Sequence, residues 1–239
     1  MKAFYIVLAL AASVVRASAQ PAQCTPLPPV SCGDLNAYEM KDPVDGTATV
    51  CTPFACGDVT VQRTKRLFVP IDPAPLNGQH YLGYEIRSET YDESANPSNL
   101  TLQTLYGLSS QNLQRQTVFL VVPAGKTIPP DAPPALRATS DGFLCFKPSN
   151  IKFGMSNVTT LDQFGTQTYV IHRVAYTCVN AGINAPAPAT ATYLLGIANK
   201  QTTLKVLPNV NIIDIFHPGG ALLPVDPVDE LVANATVVP

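Results

Sequence analysis

Phe143-Leu144-Cys145-Phe146 is the stretch on which the fold of this chain turns. Its apolar and aromatic residues read as a strand, and aromatics on half-buried strands are ordinarily core. Similar apolar and β-branched runs recur to either side, separated by clusters of Pro, Gly, Asn and Asp. Residues 67–71, 81–86, 100–105, 117–122, 143–146, 168–174, 193–197, 203–207 and 210–216 all read as strands, and none carries a 3.6-residue stripe of helical length. The 23 prolines cut the chain into short pieces, because proline can neither donate to a sheet ladder nor sit inside a helix. The expected fold is all-β, a sandwich or a set of stacked small antiparallel sheets.

The same stretch opens a repeating pattern. Tyr81-Leu82-Gly83-Tyr84 and Tyr193-Leu194-Leu195-Gly196 share its aromatic-Leu start. A second mark follows each: Leu105-Tyr106-Gly107, Asp162-Gln163-Phe164-Gly165, and Asp214-Ile215-Phe216 running to Gly219. A third, Leu67-Phe68-Val69-Pro70, returns as Leu120-Val121-Val122-Pro123 and more loosely as Thr177-Cys178-Val179-Asn180. The marks keep their order, so residues 63–230 read as about three degenerate repeats of roughly 50–60 residues. Leu35-Asn36-Ala37-Tyr38-Glu39 resembles Leu82-Gly83-Tyr84-Glu85 and reads as the remnant of an earlier copy. Residues 128–134 and 184–189, rich in Pro and Ala, read as exposed polyproline-like loops.

At the N-terminus, Lys2, an apolar run over residues 3–15 and Ala17-Ser18-Ala19 form a secretory signal. The run spans about 20 Å as a helix against roughly 30 Å of bilayer hydrocarbon, so cleavage before Gln20 is expected rather than anchoring. The expected organisation is a signal peptide over 1–19, a Cys-rich segment over 20–62, the β-rich repeat domain over 63–230 and a tail over 231–239. Loss of Lys2 and Arg16 moves the formal net charge from -2 to about -4. Such a surface offers no basic footprint for nucleic acid, and no later stretch predicts membrane insertion.

Secretion changes the meaning of the six cysteines. In an oxidising compartment an even count reads as disulfides. Local pairing joins Cys145 to Cys178, closing a loop worth roughly 3.5–4 kcal/mol by chain entropy. The repeat agrees, since these positions are Gly83 and Val121 in the preceding copy, where both cysteines are missing. Cys24, Cys32, Cys51 and Cys56 then pair among themselves in one of three ways, which the spacing leaves open. Cys51 and Cys56 have the spacing of a zinc half-site, but no second pair or nearby histidine completes it, and no metal or other cofactor is expected.

Phe143-Leu144-Cys145-Phe146-Lys147, Leu161-Asp162-Gln163-Phe164-Gly165 and Thr177-Cys178-Val179 resemble the Cys-aromatic-Lys, Asp-Gln-Phe-Gly and Leu-Cys-Val-Pro units of an uncharacterised family of secreted, mostly microbial repeat proteins. The resemblance covers about residues 63–227 and is strongest in the middle copy; the others lack the cysteines. It implies a secreted β-rich repeat domain and transfers no catalytic residues.

No nucleophile motif is complete, as Gly107-Leu108-Ser109-Ser110-Gln111 lacks the closing glycine of a hydrolase elbow. Val44-Asp45-Gly46-Thr47 reads as a turn. His80, His172 and His217 are too far apart in sequence for a short ligand pattern, and His217-Pro218-Gly219-Gly220 reads as a turn. Asp162 and Asp214 stand at equivalent marks and are expected to shape the turns before Phe164 and Phe216. Asn99, Asn157 and Asn234 head acceptable glycosylation sequons, whereas Asn96 is barred by Pro97. The expected function is a secreted structural or interaction module without catalytic activity, its partners an extracellular protein or carbohydrate. The alternative is a secreted hydrolase acting on polysaccharide through paired carboxylates, whose pairing is spatial and hidden in sequence.

Overall fold

The strand expected at residues 143–146 is present, and its side chains alternate between two buried clusters. Leu144 and Phe146 enter one buried cluster; Cys145, with Phe143 against it, enters another. The computed structural model describes residues 34–71, 79–131, 140–149, 152–201 and 207–239. Among them the strands are β1 (Leu35–Cys51), β2 (Cys56–Pro70), β3 (His80–Glu89), β4 (Leu100–Thr104), β5 (Gly107–Gln111), β6 (Thr117–Thr127), β7 (Asp141–Phe146), β8 (Lys152–Asp162), β9 (Gly165–Ile183), β10 (Tyr193–Gln201), β11 (Val210–Ile213), β12 (Ala221–Leu223) and β13 (Asp226–Val237). A 3-10 turn, Glu93–Ala95, is the only helical element among these residues, and no helix there is long and apolar enough to cross a membrane.

Every strand pairing is antiparallel, and the main ladder runs β1, β2, β3, β6, β7, β9, β10, β13 and back to β1. Closure removes the unpaired edges that an open sheet would expose. Inside lie Leu35, Ala37, Phe68, Phe119, Val121, Cys145, Tyr176, Cys178, Leu194 and Val232. The outer face carries Leu67, Leu82, Tyr84, Leu120, Leu144, Phe146, Leu195 and Leu231, covered by the remaining strands. Walls buried on both faces explain why these strands read as unbroken apolar runs.

Around this barrel the chain makes the succession strand, hairpin, strand four times. The hairpins are the far halves of β1 and β2, then β4–β5, β8 with the start of β9, and β11–β12. One cross-strand pair recurs in each: Ala37 opposite Phe68, Gly83 opposite Val121, Cys145 opposite Cys178, and Gly196 opposite Val232. Small residues on the first strand give room to larger neighbours; a Cβ on Gly196 would lie 2.3 Å from the Tyr176 ring. In β10 the inward residues are therefore Leu194 and Gly196, one position later than the match of Tyr193 to Tyr81 would set them.

Each hairpin docks two units away from its own. Val50 at the β1–β2 hairpin pairs with Ile183 of β9, Leu102 of β4 with Val237 of β13, and Ile212 of β11 with Lys126 of β6. Thr160 and Asp162 of β8 bond the side chain of Asn36 on β1. The turns share their chemistry. A Thr or Asp side-chain oxygen accepts the N–H two residues on: Thr52 from Phe54 (3.2 Å), Thr104 from Tyr106 (3.1 Å), Asp162 from Phe164 (2.7 Å) and Asp214 from Phe216 (2.8 Å). Such local bonds set the turn and leave the third residue, always aromatic, directed at the barrel.

The boundary expected at 62/63 falls inside β2, and that at 230/231 inside β13. The reason is barrel closure: β1 and β13 are neighbours, so the first and last described strands belong to the same wall. Cys145 and Cys178 are bonded across β7 and β9 inside the barrel, and Cys51 and Cys56 are bonded across the end of the β1–β2 hairpin. No cysteine among the described residues is free. Cys24 and Cys32, the signal segment and residues 203–206 of the strand expected at 203–207 lie outside the described residues.

Candidate functional site

Irregularity in β1 goes with a concave surface among the described residues. Its pairing with β2 slips between Glu39 and Asp42 and again between Pro43 and Gly46, where proline supplies no N–H to the ladder. Two shallow depressions of about 430 Å³ and 400 Å³ result. They share Pro43 and Gln62; Lys41, Asp42 and Arg63 line the first, Val44, Asp45 and Arg87 the second. The Val44-Asp45-Gly46-Thr47 segment, expected as a turn, is thus the bulged middle of a strand. Its glycine is sterically required, since a Cβ on Gly46 would lie 2.5 Å from the ring of Phe216.

Behind the first depression runs a buried polar chain. His217 Nε2 lies 3.1 Å from Asp42 Oδ2, and Nδ1 lies 3.3 Å from Asp214 Oδ1 and 2.9 Å from the Tyr84 hydroxyl. Asp214, wholly buried, also accepts the backbone N–H of Phe216 and His217 and the hydroxyl of Tyr84. Burial disfavours the charged imidazole, but the hydrogen bonds and charges of Asp214 and Asp42 outweigh it and raise the His217 pKa above its ordinary value. Burial and the Asp214 charge push the Tyr84 hydroxyl well up. With its pKa raised and a carboxylate at each ring nitrogen, this histidine fastens the β11–β12 segment to β1 and β3.

That assignment carries a pH signature. His217 binds its proton more tightly folded than unfolded, so its stabilisation is full below an unfolded pKa of about 6.5 and is lost as pH rises through the higher folded value. Chemical denaturation of wild type and His217→Gln from pH 5.5 to 9 should show the gap between them narrowing with increasing pH. A gap that widens with pH overturns the charged latch.

Asp162 forms a related cluster. One oxygen accepts Asn36 Nδ2 (2.6 Å) and the Tyr38 hydroxyl, the other the Phe164 N–H, and Tyr38 meets Phe164 edge-on at 4.8 Å. Tyr84 and Phe216 repeat that contact at 4.8 Å beside Asp214. Burial raises the Asp162 pKa, against the lowering effect of these bonds. Both aspartates shape the turns before their aromatics, and the mark aromatics Tyr84, Phe146 and Phe164 are core.

The histidines stay on separate elements: His80 on β3 beside Gln163, His172 half-buried in β9, and His217 after β11. Asn99, Asn157 and Asn234 are all exposed, while Asn96 is buried and bonded to Tyr91 and the Leu113 carbonyl. Asp42 was not singled out by sequence, and Tyr38 and Tyr84 stood there only as repeat marks; the recurring Thr/Asp-x-aromatic triplets are the signal that points to the turns they serve. No family model, curated protein or solved structure matches the chain.

Proposed function

We propose that the protein is a secreted structural or interaction module that works at or outside the cell surface without catalysis. The observation that carries this reading is the use of Asp162, Asp214 and His217 as ties between hairpins and barrel. Groups with both faces bonded to the scaffold are not available to move a substrate proton. Two disulfides favour an oxidising, extracellular setting, entered through the N-terminal signal. The four strand-hairpin-strand passages support the sequence marks being degenerate copies of one unit, four rather than three. The binding surface is the pair of depressions that share Pro43 and Gln62, one lined also by Lys41, Asp42 and Arg63, the other by Arg87. Its mixed charges and amide suit an extracellular protein or a carbohydrate; nucleic acid and membrane insertion are not part of the proposal.

The hydrolase alternative rests on Glu89, whose pKa rises to about 7 through burial, with the Thr117 hydroxyl opposing and Glu93 adding to the rise. An acid with a raised pKa near a second carboxylate is the right chemistry for glycoside hydrolysis. The test is to incubate the secreted protein with a polysaccharide panel, assay reducing ends, and screen the same sample on glycan and extracellular-protein arrays. Binding without turnover, weakened at least tenfold in Gln62→Ala/Arg63→Ala/Arg87→Ala, is the expected result. Turnover abolished by Glu89→Gln would replace the module with the hydrolase.

A further inference from the structure

The ladder in which Thr236 of β13 opposes Gln103 of β4, and Gln103 opposes Leu108 of β5, ends at β5. Among the described residues β5 pairs only with β4, so its other edge is open. Leu102, Thr104, Ser109 and Gln111 turn inward, while Gln103, Leu105, Leu108 and Ser110 face out. Leu105 and Leu108, 59% and 57% exposed, are the two most exposed of the large apolar residues described. Proteins ordinarily blunt such an edge by shortness, charge, proline or a bulge. At the opposite end of the strand path, β12 is only three residues long. None of these devices protects β5: residues 94–114 contain no Asp, Glu, Lys, Arg or His, β5 has no proline, and its register with β4 runs without a slip.

We propose that this edge is the surface on which two copies of the chain meet, β5 of one pairing antiparallel with β5 of the other about a twofold axis. Charge and symmetry select the partner. The chain is net negative, so copies repel one another on average, and a patch without ionisable groups is where that repulsion is weakest. An acidic or basic partner of another kind would find no opposite charge there to select it. An antiparallel edge is self-complementary under a twofold, since each strand offers the other the same alternating donors and acceptors. Thr104 and Gly107 close the two-residue turn, so the N–H and C=O of Leu108 and Ser110 point away from β4. With Ser109 on the axis, Leu108 of one copy lies opposite Ser110 of the other, and the two Leu108 side chains meet diagonally on the outer face. The product is one six-stranded sheet in which both open edges are paired. Asn99 and Asn234 head sequons before β4 and within β13, off the β5 edge, so glycans there leave its backbone open.

The test is sedimentation velocity of the secreted protein from about 1 to 100 µM, with amide hydrogen exchange at both ends of that range. The expected result is a monomer–dimer equilibrium in which the amides of Gly107–Gln111 exchange more slowly as dimer forms. Leu108→Glu, at a position exposed in the single chain, should raise the dimer Kd roughly tenfold or more, and so should Leu108→Lys. An equimolar mixture of the two variants should recover the dimer, because opposite charges then meet across the axis. A protein that stays monomeric throughout overturns the proposal. So does a dimer that neither variant weakens, a dimer whose protection falls on other strands, or a mixture no more associated than either variant alone. Capture of a different extracellular protein at this edge, with the chain itself monomeric, overturns it as well. The wild-type sedimentation and exchange data decide the matter even if a variant does not fold.

Discussion

Replacing Cys145 by Ala and Cys178 by Val should lower stability by roughly 3–4 kcal/mol and Tm by roughly 8–14 °C. The two positions face one another inside the barrel and are 0% and 1% exposed. Ala37 and Val232 fill equivalent inward positions elsewhere in the ring, so these replacements fit without forming a large void. What they remove is the covalent closure of a 33-residue separation. Cys51 and Cys56, five residues apart, restrain the unfolded chain less, their bridge contributing about 2 kcal/mol in all. Accessibility adds a second readout. Cys56 is exposed, so mild dithiothreitol should reduce the hairpin bridge in the native protein and leave the barrel bridge intact until unfolding. Equal reduction rates in the native state, or a double variant as stable as wild type, would contradict this account.

Arg66→Met should destabilise the protein by about 3–5 kcal/mol, the cost of leaving a buried carboxylate unpaired. Arg66 extends from β2 on the Phe68 side and meets Glu230 of β13 through two bonds of 3.0 and 2.9 Å; the Tyr176 hydroxyl donates to the same carboxylate at 3.1 Å. The side chains are only 11% and 13% exposed, and the guanidinium carbon lies 5.9 Å from the Phe119 ring centre. Arg66→Met with Glu230→Gln should recover most of the loss, since the amide keeps an acceptor for Tyr176 and neither partner remains charged. Urea unfolding of the two variants measures the difference. A single variant within about 1 kcal/mol of wild type would show that water reaches the pair and screens it.

Much of the barrel was legible because a wall packed on both sides leaves a strong trace. Residues 81–86, 117–122, 143–146 and 193–197 all lie in ladder strands. The first and last strands were less plain. β1 carries Lys41, Asp42, Pro43 and Asp45 through its bulges, and β13 begins with Asp226 and Pro227, so local composition concealed them. Closure was invisible because pairing of Leu35 with Val232 is a property of the whole ring. Of the candidate site, the turns before Phe164 and Phe216 could be read from local marks. The partners of Asp162 and Asp214 could not, because Tyr38 and Tyr84 lie 124 and 130 residues away.

The crossed docking of the hairpins limits how this architecture can change in length. A linear array of strand-hairpin-strand passages could gain or lose one at its end and keep every remaining interface. Here the β4–β5 hairpin depends on β13, and the β11–β12 hairpin on β6. Deleting one passage would orphan a hairpin on the far side and open the ring, while inserting one would shift every hairpin from its seat. Natural variation in such a chain should therefore accumulate in loop length and surface side chains, with the number of passages held constant.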